Sequence, residues 1–276
     1  MSALRRHAGR TAIFLALAAI SLTTIYPLVF MLLSALKGEE EFIVNPYGIP
    51  MHPTFDNLVN AWKYARFGHY LGNSLIVVVA GVALSWAVCS MAGYALSHLR
   101  FPGRRIAFFA ILGSMMIAPQ IILIPLHAML GSLGLLNRHL GLILVYVTLA
   151  TPFGTYLMAS YLRGVPSELV EAAQVDGANH FQILWRIMLP IARPALMTLG
   201  IFNFLWMWNE LLLAQVILNE DHARTLMVGV ANLRGQYTTN MPYLSAGLFL
   251  AALPVLIIFL VFQTQITKGM TMGAVK

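Results

Sequence analysis

The chain has 276 residues, of which 59% are hydrophobic and only 10% are charged, and its mean hydropathy is +0.77. These values exclude an ordinary soluble domain and a disordered chain, and they predict an all-α integral membrane protein. The formal net charge of +7 comes from basic residues that are scattered along the chain rather than clustered, so we do not predict nucleic-acid binding.

Six apolar runs are long enough to cross a hydrocarbon core about 30 Å thick. In chain order the predicted spans are Ala12–Leu36, Leu71–Ser97, Ile106–Leu130, Leu140–Leu162, Ala195–Ile217 and Leu244–Ile266. The first run is longer than the apolar core of a signal peptide and precedes no clear cleavage site, so we expect a retained helix. Prolines are tolerated in such spans when neighbours satisfy the freed carbonyls. Those inside the runs are Pro27, Pro119, Pro125, Pro152 and Pro254.

A polar segment separates the fourth run from the fifth. Pro166 and Ser167 precede a run of good helix formers, which predicts a helix start with Ser167 as its cap. Glu168 and Glu171 then fall in the first turn, where the helix dipole favours acids. Asp176-Gly177 predicts the end of this helix, because glycine adopts the left-handed conformation without steric cost.

A second short helix is predicted directly afterwards. Asn179 and Gln182 have the spacing of a capping box, and Leu189-Pro190 is expected to end the helix. The segment is therefore predicted to be a helix–turn–helix elbow outside the bilayer.

The distribution of charge predicts the orientation. With the N-terminus inside, the inner segments carry 11 basic residues and three acids, whereas the outer segments carry six of each. Basic residues accumulate on the cytoplasmic side of membrane proteins, so we expect both termini and the elbow to be cytoplasmic.

Two interpretations of the elbow are open. An amphipathic helix that lies on the inner leaflet normally presents Lys and Arg to anionic lipid, whereas the first helix of the elbow carries Glu168, Glu171 and Asp176 and no base. Docking to a partner protein is the alternative that this acidic character favours.

The string Glu171-Ala172-Ala173, followed by Gly177 and Leu189-Pro190, resembles the EAA loop of the permease subunits of binding-protein-dependent ABC importers. Other features resemble the carbohydrate-uptake branch, in particular the smaller, second permease subunit of the maltose transporter. They are Asn73-Ser74, Pro125, Asp176-Gly177-Ala178, Trp208-Asn209-Glu210, Gln263, Gly269 and the ending Gly273-Ala-Val-Lys276.

The resemblance implies six transmembrane helices in the type I ABC importer fold and a transport subunit without catalytic residues. It implies an N-terminal tail, first span and outer loop at 1–68, a permease core at 69–263 and a cytoplasmic tail at 264–276. The elbow would be a coupling helix that docks on an ATPase. Its residues would be Glu168, Glu171, Ala172, Ala173, Asp176, Gly177, Leu189 and Pro190.

The resemblance also implies partners in a bacterial or archaeal cytoplasmic membrane. They are a second, different permease subunit, two copies of an ABC ATPase and an extracytoplasmic solute-binding protein. The sequence contains no G-x-x-x-x-G-K-[ST] phosphate loop, so ATP and Mg²⁺ are expected on the ATPase subunits. We expect no cofactor or metal on this chain, whose histidines lack metal-ligand spacing.

Polar residues at membrane depth are the candidates for the translocation pathway. Glu210 is the acid within a predicted span, and Trp206 or Trp208 could stack against a sugar. A structural hydrogen bond or a gate is the favoured alternative for Glu210, and helix–helix contacts are the favoured alternative for the polar amides. The full candidate set is Asn73, Gln120, Asn203, Trp206, Asn209 and Glu210.

Two other functions remain open at this stage. A secondary transporter or channel would need no ATPase, but it would favour ionisable residues near the midplane. An ABC permease for another polar solute, such as glycerol phosphate, would share every motif quoted above.

Overall fold

The computed structural model describes the backbone of residues 2–64, 66–236 and 240–272, with side chains except at 2–9, 12, 64, 234–236 and 265–272. Within these ranges every regular element is a helix, which confirms the all-α prediction. The ending Gly273-Ala-Val-Lys276 lies outside what is described, as do the side chains of the basic residues Arg5, Arg6, Arg234 and Lys268.

Fourteen α-helices follow one another in the described ranges. They are α1 Ser2–Ala35, α2 Glu39–Val44, α3 Asp56–Tyr64, α4 Phe67–His98, α5 Arg104–Gly113, α6 Leu123–Ser132, α7 His139–Leu162, α8 Glu168–Val175, α9 His180–Ile183, α10 Leu189–Ile191, α11 Arg193–Asn209, α12 Leu212–Ile217, α13 Leu226–Gln236 and α14 Met241–Met272. Short 3₁₀ turns lie at Ser114–Met116 and Asp221–Ala223, and one wider π-helical turn lies at Leu184–Met188.

Four predicted spans are continuous apolar helices long enough to cross a membrane. They lie at Ile13–Ala35, Phe67–His98, His139–Leu162 and Met241–Thr264. Pro27, Pro152 and Pro254 are inside three of these helices, as expected for spans whose neighbours satisfy the freed carbonyls.

The predicted third and fifth spans are not continuous helices. The third run is divided into α5 and α6, and Pro119 lies in the intervening turn, where its missing N–H cannot support an α-helix. The fifth run is divided at Glu210 and Leu211, between α11 and α12. In addition, the chain bends by 81° between the helical stretch His180–Ile191 and α11. These two helical pieces form a fifth apolar span only if they cross the membrane as one span.

The chain divides into two compact units. One unit falls within Met1–Gly68 and Gly229–Pro254, and its core holds Ala35, Ala61 and Ala246. The other falls within His69–Val228 and Val255–Lys276. The core of this second unit joins α4, α7 and α11 to the short helices α8, α9 and α10, so the elbow region belongs to a packed structure rather than to a loose loop.

Candidate functional site

The first helix of the elbow, α8, begins without the predicted serine cap. Ser167 has helical dihedrals (φ −67°, ψ −23°), and its side chain makes no capping hydrogen bond. A serine cap needs extended backbone so that its hydroxyl can reach the amides of the first turn. Because that side-chain bond is missing, the prediction of a serine cap is wrong. Ser167 contributes its carbonyl, which accepts hydrogen bonds of 3.0 Å from the amides of Val170 and Glu171.

Helix α8 has one buried face. Val170 and Ala173 are both 7% exposed and pack into the core of their own unit. The small side chain of Ala173 therefore allows α8 to approach its own chain, which corrects the expectation that both alanines of the EAA string face a partner. Leu189, also in the expected coupling set, is buried in the same core.

The other face of α8 is free to meet another protein in the described structure. Glu168, Glu171 and Ala172 are exposed, and Val175 is 89% exposed. Two carboxylates next to an exposed apolar side chain form a surface that could pair with basic groups and bury a small apolar contact.

The end of α8 is confirmed as predicted. Gly177 adopts φ +83°, and its amide donates to the carbonyl of Gln174 at 3.0 Å. The amide of Ala178 donates to the carbonyl of Ala173 at 2.9 Å, and this pair of bonds is a Schellman motif. The direction in which the chain leaves α8 is thus fixed by backbone geometry that suits glycine.

The second helix of the elbow begins as predicted but does not end at Pro190. The side chain of Asn179 accepts from the amide of Gln182, and the Gln182 side chain accepts from the amide of Asn179, which completes the capping box. Helical structure continues through the π turn and α10 to Ile191. Pro190 directly follows the π turn, and Pro194 lies in the first turn of α11, where no N–H is needed.

The elbow is tied to the end of α4 through aromatic and histidine side chains. The hydroxyl of Tyr94 and Nδ1 of His180 are 3.0 Å apart, and the Tyr94 ring stacks on His98. A groove of about 520 Å³ lies beside this contact, between the end of α4 and α8, and Glu171 is among its lining residues. The contact therefore links α9, the second helix of the elbow, to the end of α4.

Among the pathway candidates, Glu210 is fully engaged with protein groups. One carboxylate oxygen accepts from the hydroxyl of Tyr146 at 2.9 Å and from the amide of Ala214 at 3.0 Å. The other accepts from the amide of Leu213 at 2.8 Å. Glu210 has extended backbone, so its carboxylate caps α12 at the helix break. This geometry matches the structural alternative for Glu210.

Two polar amides of the candidate set are also occupied. The Asn73 amide donates to the carbonyls of His222 and Arg224, each at 2.9 Å, and so holds the turn that precedes α13. The Asn203 amide donates to the hydroxyl of Ser85 at 2.8 Å and links α11 to α4. Both are buried, and both contacts are of the kind that packs helices against one another.

The remaining candidates are exposed. Gln120 lies in the turn between α5 and α6, and Asn209 lies at the end of α11, where its amide bonds the carbonyl of Leu205. Trp206 is 38% exposed and stands edge-on to Tyr146, whereas Trp208 is only 2% exposed. Among the described residues, no hydrogen bond joins Gln120 or Asn73 to Glu210.

One polar position was missed by the sequence interpretation. Gln215 is exposed on α12 and lines a groove of about 640 Å³ between α6 and α12, together with His127 and Asn219. A glutamine in the middle of an apolar run was the signal that could have found it.

Comparison with known proteins identifies the family. The family described as binding-protein-dependent transport system inner membrane component matches residues 88–272. The chain is 36% identical over 256 residues to the diacetylchitobiose uptake system permease protein NgcG of Streptomyces coelicolor, covering 92% of this chain and 84% of the relative. It is 31% identical to the arabinooligosaccharides transport system permease protein AraQ of Halalkalibacterium halodurans, covering 93% of each.

A solved structure agrees with these sequence relatives. The chain aligns with part of a bacterial ABC transporter involved in the import of the acidic polysaccharide alginate, with a TM-score of 0.81 and 25% identity, covering 94% of this chain and 96% of that one. The resemblance read from the EAA string and its companion motifs is thereby confirmed, including its carbohydrate-uptake branch. The chain belongs to the family of binding-protein-dependent transport system inner membrane components, the permease subunits of ABC importers.

Proposed function

We propose that this chain is one of two different permease subunits of an ATP-driven sugar importer in a bacterial or archaeal cytoplasmic membrane. We infer six membrane crossings with both termini cytoplasmic, in which α5 with α6 and α11 with α12 each complete one crossing. The basic excess of the inner segments supports this orientation. Residues 1–68 would then be the N-terminal cytoplasmic tail, the first span and an outer loop. Residues 69–263 would be the permease core and residues 264–276 the cytoplasmic tail.

The proposed power source is a pair of separate ABC ATPase subunits that bind ATP and Mg²⁺. The observation that carries this proposal is the construction of α8. The face of α8 that carries Val170 and Ala173 is buried in the core. Glu168, Glu171 and Ala172 are exposed. A short helix packed in this way can move as a rigid body with a docked partner. The movement would be transmitted to α4 through the contact between Tyr94 and His180 of α9.

The proposed translocation pathway uses the exposed polar groups rather than the occupied ones. Gln120, Trp206, Asn209 and Gln215 are available to meet a solute, whereas Asn73, Asn203 and Glu210 hold backbone and helices in place. Relatives are named for diacetylchitobiose, arabinooligosaccharides and sulfoquinovosyl glycerol, so we propose a sugar or sugar conjugate without assigning one.

A solute-binding protein is the proposed donor of the sugar outside the cell. The chain has the fold, at a TM-score of 0.65, of part of a bacterial alginate ABC transporter solved in complex with an alginate pentasaccharide-bound periplasmic protein. We propose that the loops assigned to the outer side meet such a protein.

The proposal is tested at Gly177. Gly177→Val places a β-branched residue at φ +83°, a conformation that such residues avoid, and we expect the assembled importer to lose uptake while membrane insertion persists. Gly177→Asn should retain most uptake, since asparagine tolerates the left-handed region. Gly134→Val is the matched control, because Gly134 has φ +65° and open surroundings but lies between α6 and α7. Full uptake by the Gly177→Val importer would refute the coupling role.

A further inference from the structure

The helical stretch His180–Ile191 meets the following helix, α11, at a steep angle. It consists of α9, the π turn and α10, and the chain bends by 81° between it and α11. By composition the stretch is apolar enough to pass, together with α11, as part of a membrane span. With α11 crossing the membrane at the average tilt of a span, about 20°, the stretch lies within about 30° of the membrane plane. An apolar helix in this orientation at the start of a span runs along the membrane surface.

One face of this stretch is buried in the core of its own unit. Ile183 and Met188 are fully buried and Leu184 is almost so, and all three belong to the core cluster that also contains the ends of α4 and α7. This face therefore holds the stretch against the helix bundle, and contacts with other molecules are left to the faces that the bundle does not cover.

Two aromatic side chains lie on an uncovered flank of the stretch. Phe181 is 63% exposed and Trp185 is 46% exposed, and their ring centroids are 5.9 Å apart. Trp185 follows the buried Leu184 and precedes the exposed Arg186. Because successive helical residues are roughly a quarter of a turn apart, Leu184 and Arg186 lie on opposite sides and the aromatic pair lies between them. The pair is thus directed sideways from the bundle, along the membrane plane.

The charge of this stretch is opposite to that of α8. It contains Arg186 and no acid, and Arg193 follows it at the start of α11, with both arginines exposed. Helix α8 instead carries Glu168 and Glu171 and no base. The negative surface of the cytoplasmic leaflet attracts arginines and repels carboxylates. The two halves of the elbow therefore suit different surfaces, the acidic half a basic protein and the basic half an anionic membrane.

We propose that the stretch His180–Ile191 lies in the headgroup region of the inner leaflet, with Phe181 and Trp185 inserted among the lipids and Arg186 at the anionic surface. Tryptophan is enriched at membrane interfaces, and helices with arginine on one face and aromatic residues on another lie in the interface plane. The choice of leaflet rests on the proposed function, which places the start of α11 on the cytoplasmic side. The expectation that the elbow stands outside the bilayer would then hold for α8 alone.

The test measures membrane depth by spin labelling of the assembled importer in vesicles of phosphatidylcholine and phosphatidylglycerol. A nitroxide is attached in turn to Phe181→Cys, Trp185→Cys and the matched control Val175→Cys, an exposed apolar position on α8. Relaxation by oxygen reports the bilayer, and relaxation by a nickel chelate reports water. We expect the labels at 181 and 185 to lie about 5–10 Å inside the headgroup boundary and the label at 175 to show no bilayer depth. Cys89 is buried, so the unsubstituted importer is the blank.

Two results of this measurement would overturn the proposal. Relaxation of the labels at 181 and 185 mainly by the nickel chelate would place the aromatic pair in water. Shielding of both labels from oxygen and from nickel would place the pair against a protein, either the second permease subunit or the ATPase. Sugar uptake by the same preparations tests the proposed function separately, because contact with lipid does not require transport. Loss of uptake with bilayer depth intact would count against the proposed function alone.

Tryptophan fluorescence provides a second measurement that needs no label. Phosphatidylcholine brominated near the headgroup quenches the emission of tryptophans that contact lipid. We expect Trp185→Phe to lose emission that this lipid quenches, whereas Trp208→Phe, at a position that is only 2% exposed, should lose emission that it does not quench. Unchanged quenchable emission in Trp185→Phe would contradict the insertion of Trp185 into the leaflet.

Discussion

The hydroxyl of Tyr146 donates a hydrogen bond of 2.9 Å to the carboxylate of Glu210, across the break between α11 and α12. The ring of the same tyrosine stands edge-on to Trp206, with the ring centroids 5.3 Å apart. Tyr146 is 1% exposed on α7, so one buried side chain contacts both the end of α11 and the residue that caps α12. We infer that this pair holds the broken helix in register with α7.

Tyr146→Phe should destabilise the chain without weakening sugar affinity. The substitution removes one donor from the Glu210 carboxylate, and the expected loss is about 1–3 kcal/mol in the free energy of unfolding. Thermal unfolding of the assembled importer measures it. Tyr156→Phe is the control on the same helix, because Tyr156 is 48% exposed. A sugar-contact role for Glu210 would be indicated if Glu210→Gln raised the KM for uptake while leaving thermal unfolding unchanged.

The polar candidates should separate into two classes by their effects. Asn203→Ala removes a buried hydrogen bond to Ser85, so we expect a loss of about 1 kcal/mol in stability and little change in KM. Gln120→Ala and Asn209→Ala alter exposed side chains, so we expect weaker uptake affinity at unchanged stability. Uptake kinetics and thermal unfolding of the same three variants check this division, which fails if all three change only stability.

The parts of the fold that the sequence predicted correctly depend on residues that are close together in the chain. Gly177 and the Asn179–Gln182 box act through backbone groups a few residues away, so the end of α8 and the start of α9 follow from sequence alone. Four spans followed from apolar length. Each of these features depends only on residues within one helical turn or one apolar run.

The features that sequence reasoning missed depend on distant partners. The hydrogen bond from Tyr146 to Glu210 joins residues that are 64 positions apart in the chain. The inward face of α8 depends on a core built from α4, α7 and α11, so the EAA string could not reveal that Ala173 is buried while Ala172 is exposed. Ser167 is a cap by residue type, but its backbone is already helical.

Close helix packing at Gly93 should not tolerate a methyl group. A Cβ atom there would lie 2.6 Å from the Cβ of Met158 and 3.0 Å from the amide nitrogen of Ala159, so α4 and α7 would have to separate. We expect Gly93→Ala to cost about 1–3 kcal/mol. Gly113→Ala is the control, because Gly113 is helical with no neighbour within 4 Å, and alanine should be neutral or stabilising there. Thermal unfolding of both variants decides the matter, and equal stability would contradict the close approach.

Lys37 should order the segment that follows α1. It is fully buried, and its Nζ donates to the carbonyls of Asn45 at 2.6 Å and Pro46 at 3.1 Å. Lys37→Met keeps the apolar stem but leaves both carbonyls without this donor, so local stability should fall by about 1–3 kcal/mol. Hydrogen exchange of residues 38–55 should then accelerate. Exposed Lys63→Met is the control, and unchanged exchange in Lys37→Met would contradict the role.

The central claim, that α8 docks on the ATPase through its exposed face, is tested most directly by photo-crosslinking from adjacent positions. A photoreactive side chain is placed at Ala172, which is exposed, or at Ala173, which is 7% exposed and packed in the core. In the assembled importer, position 172 should crosslink to the ATPase subunit, whereas position 173 should crosslink only within its own chain. No ATPase crosslink from position 172 in an importer that still transports sugar would contradict the account.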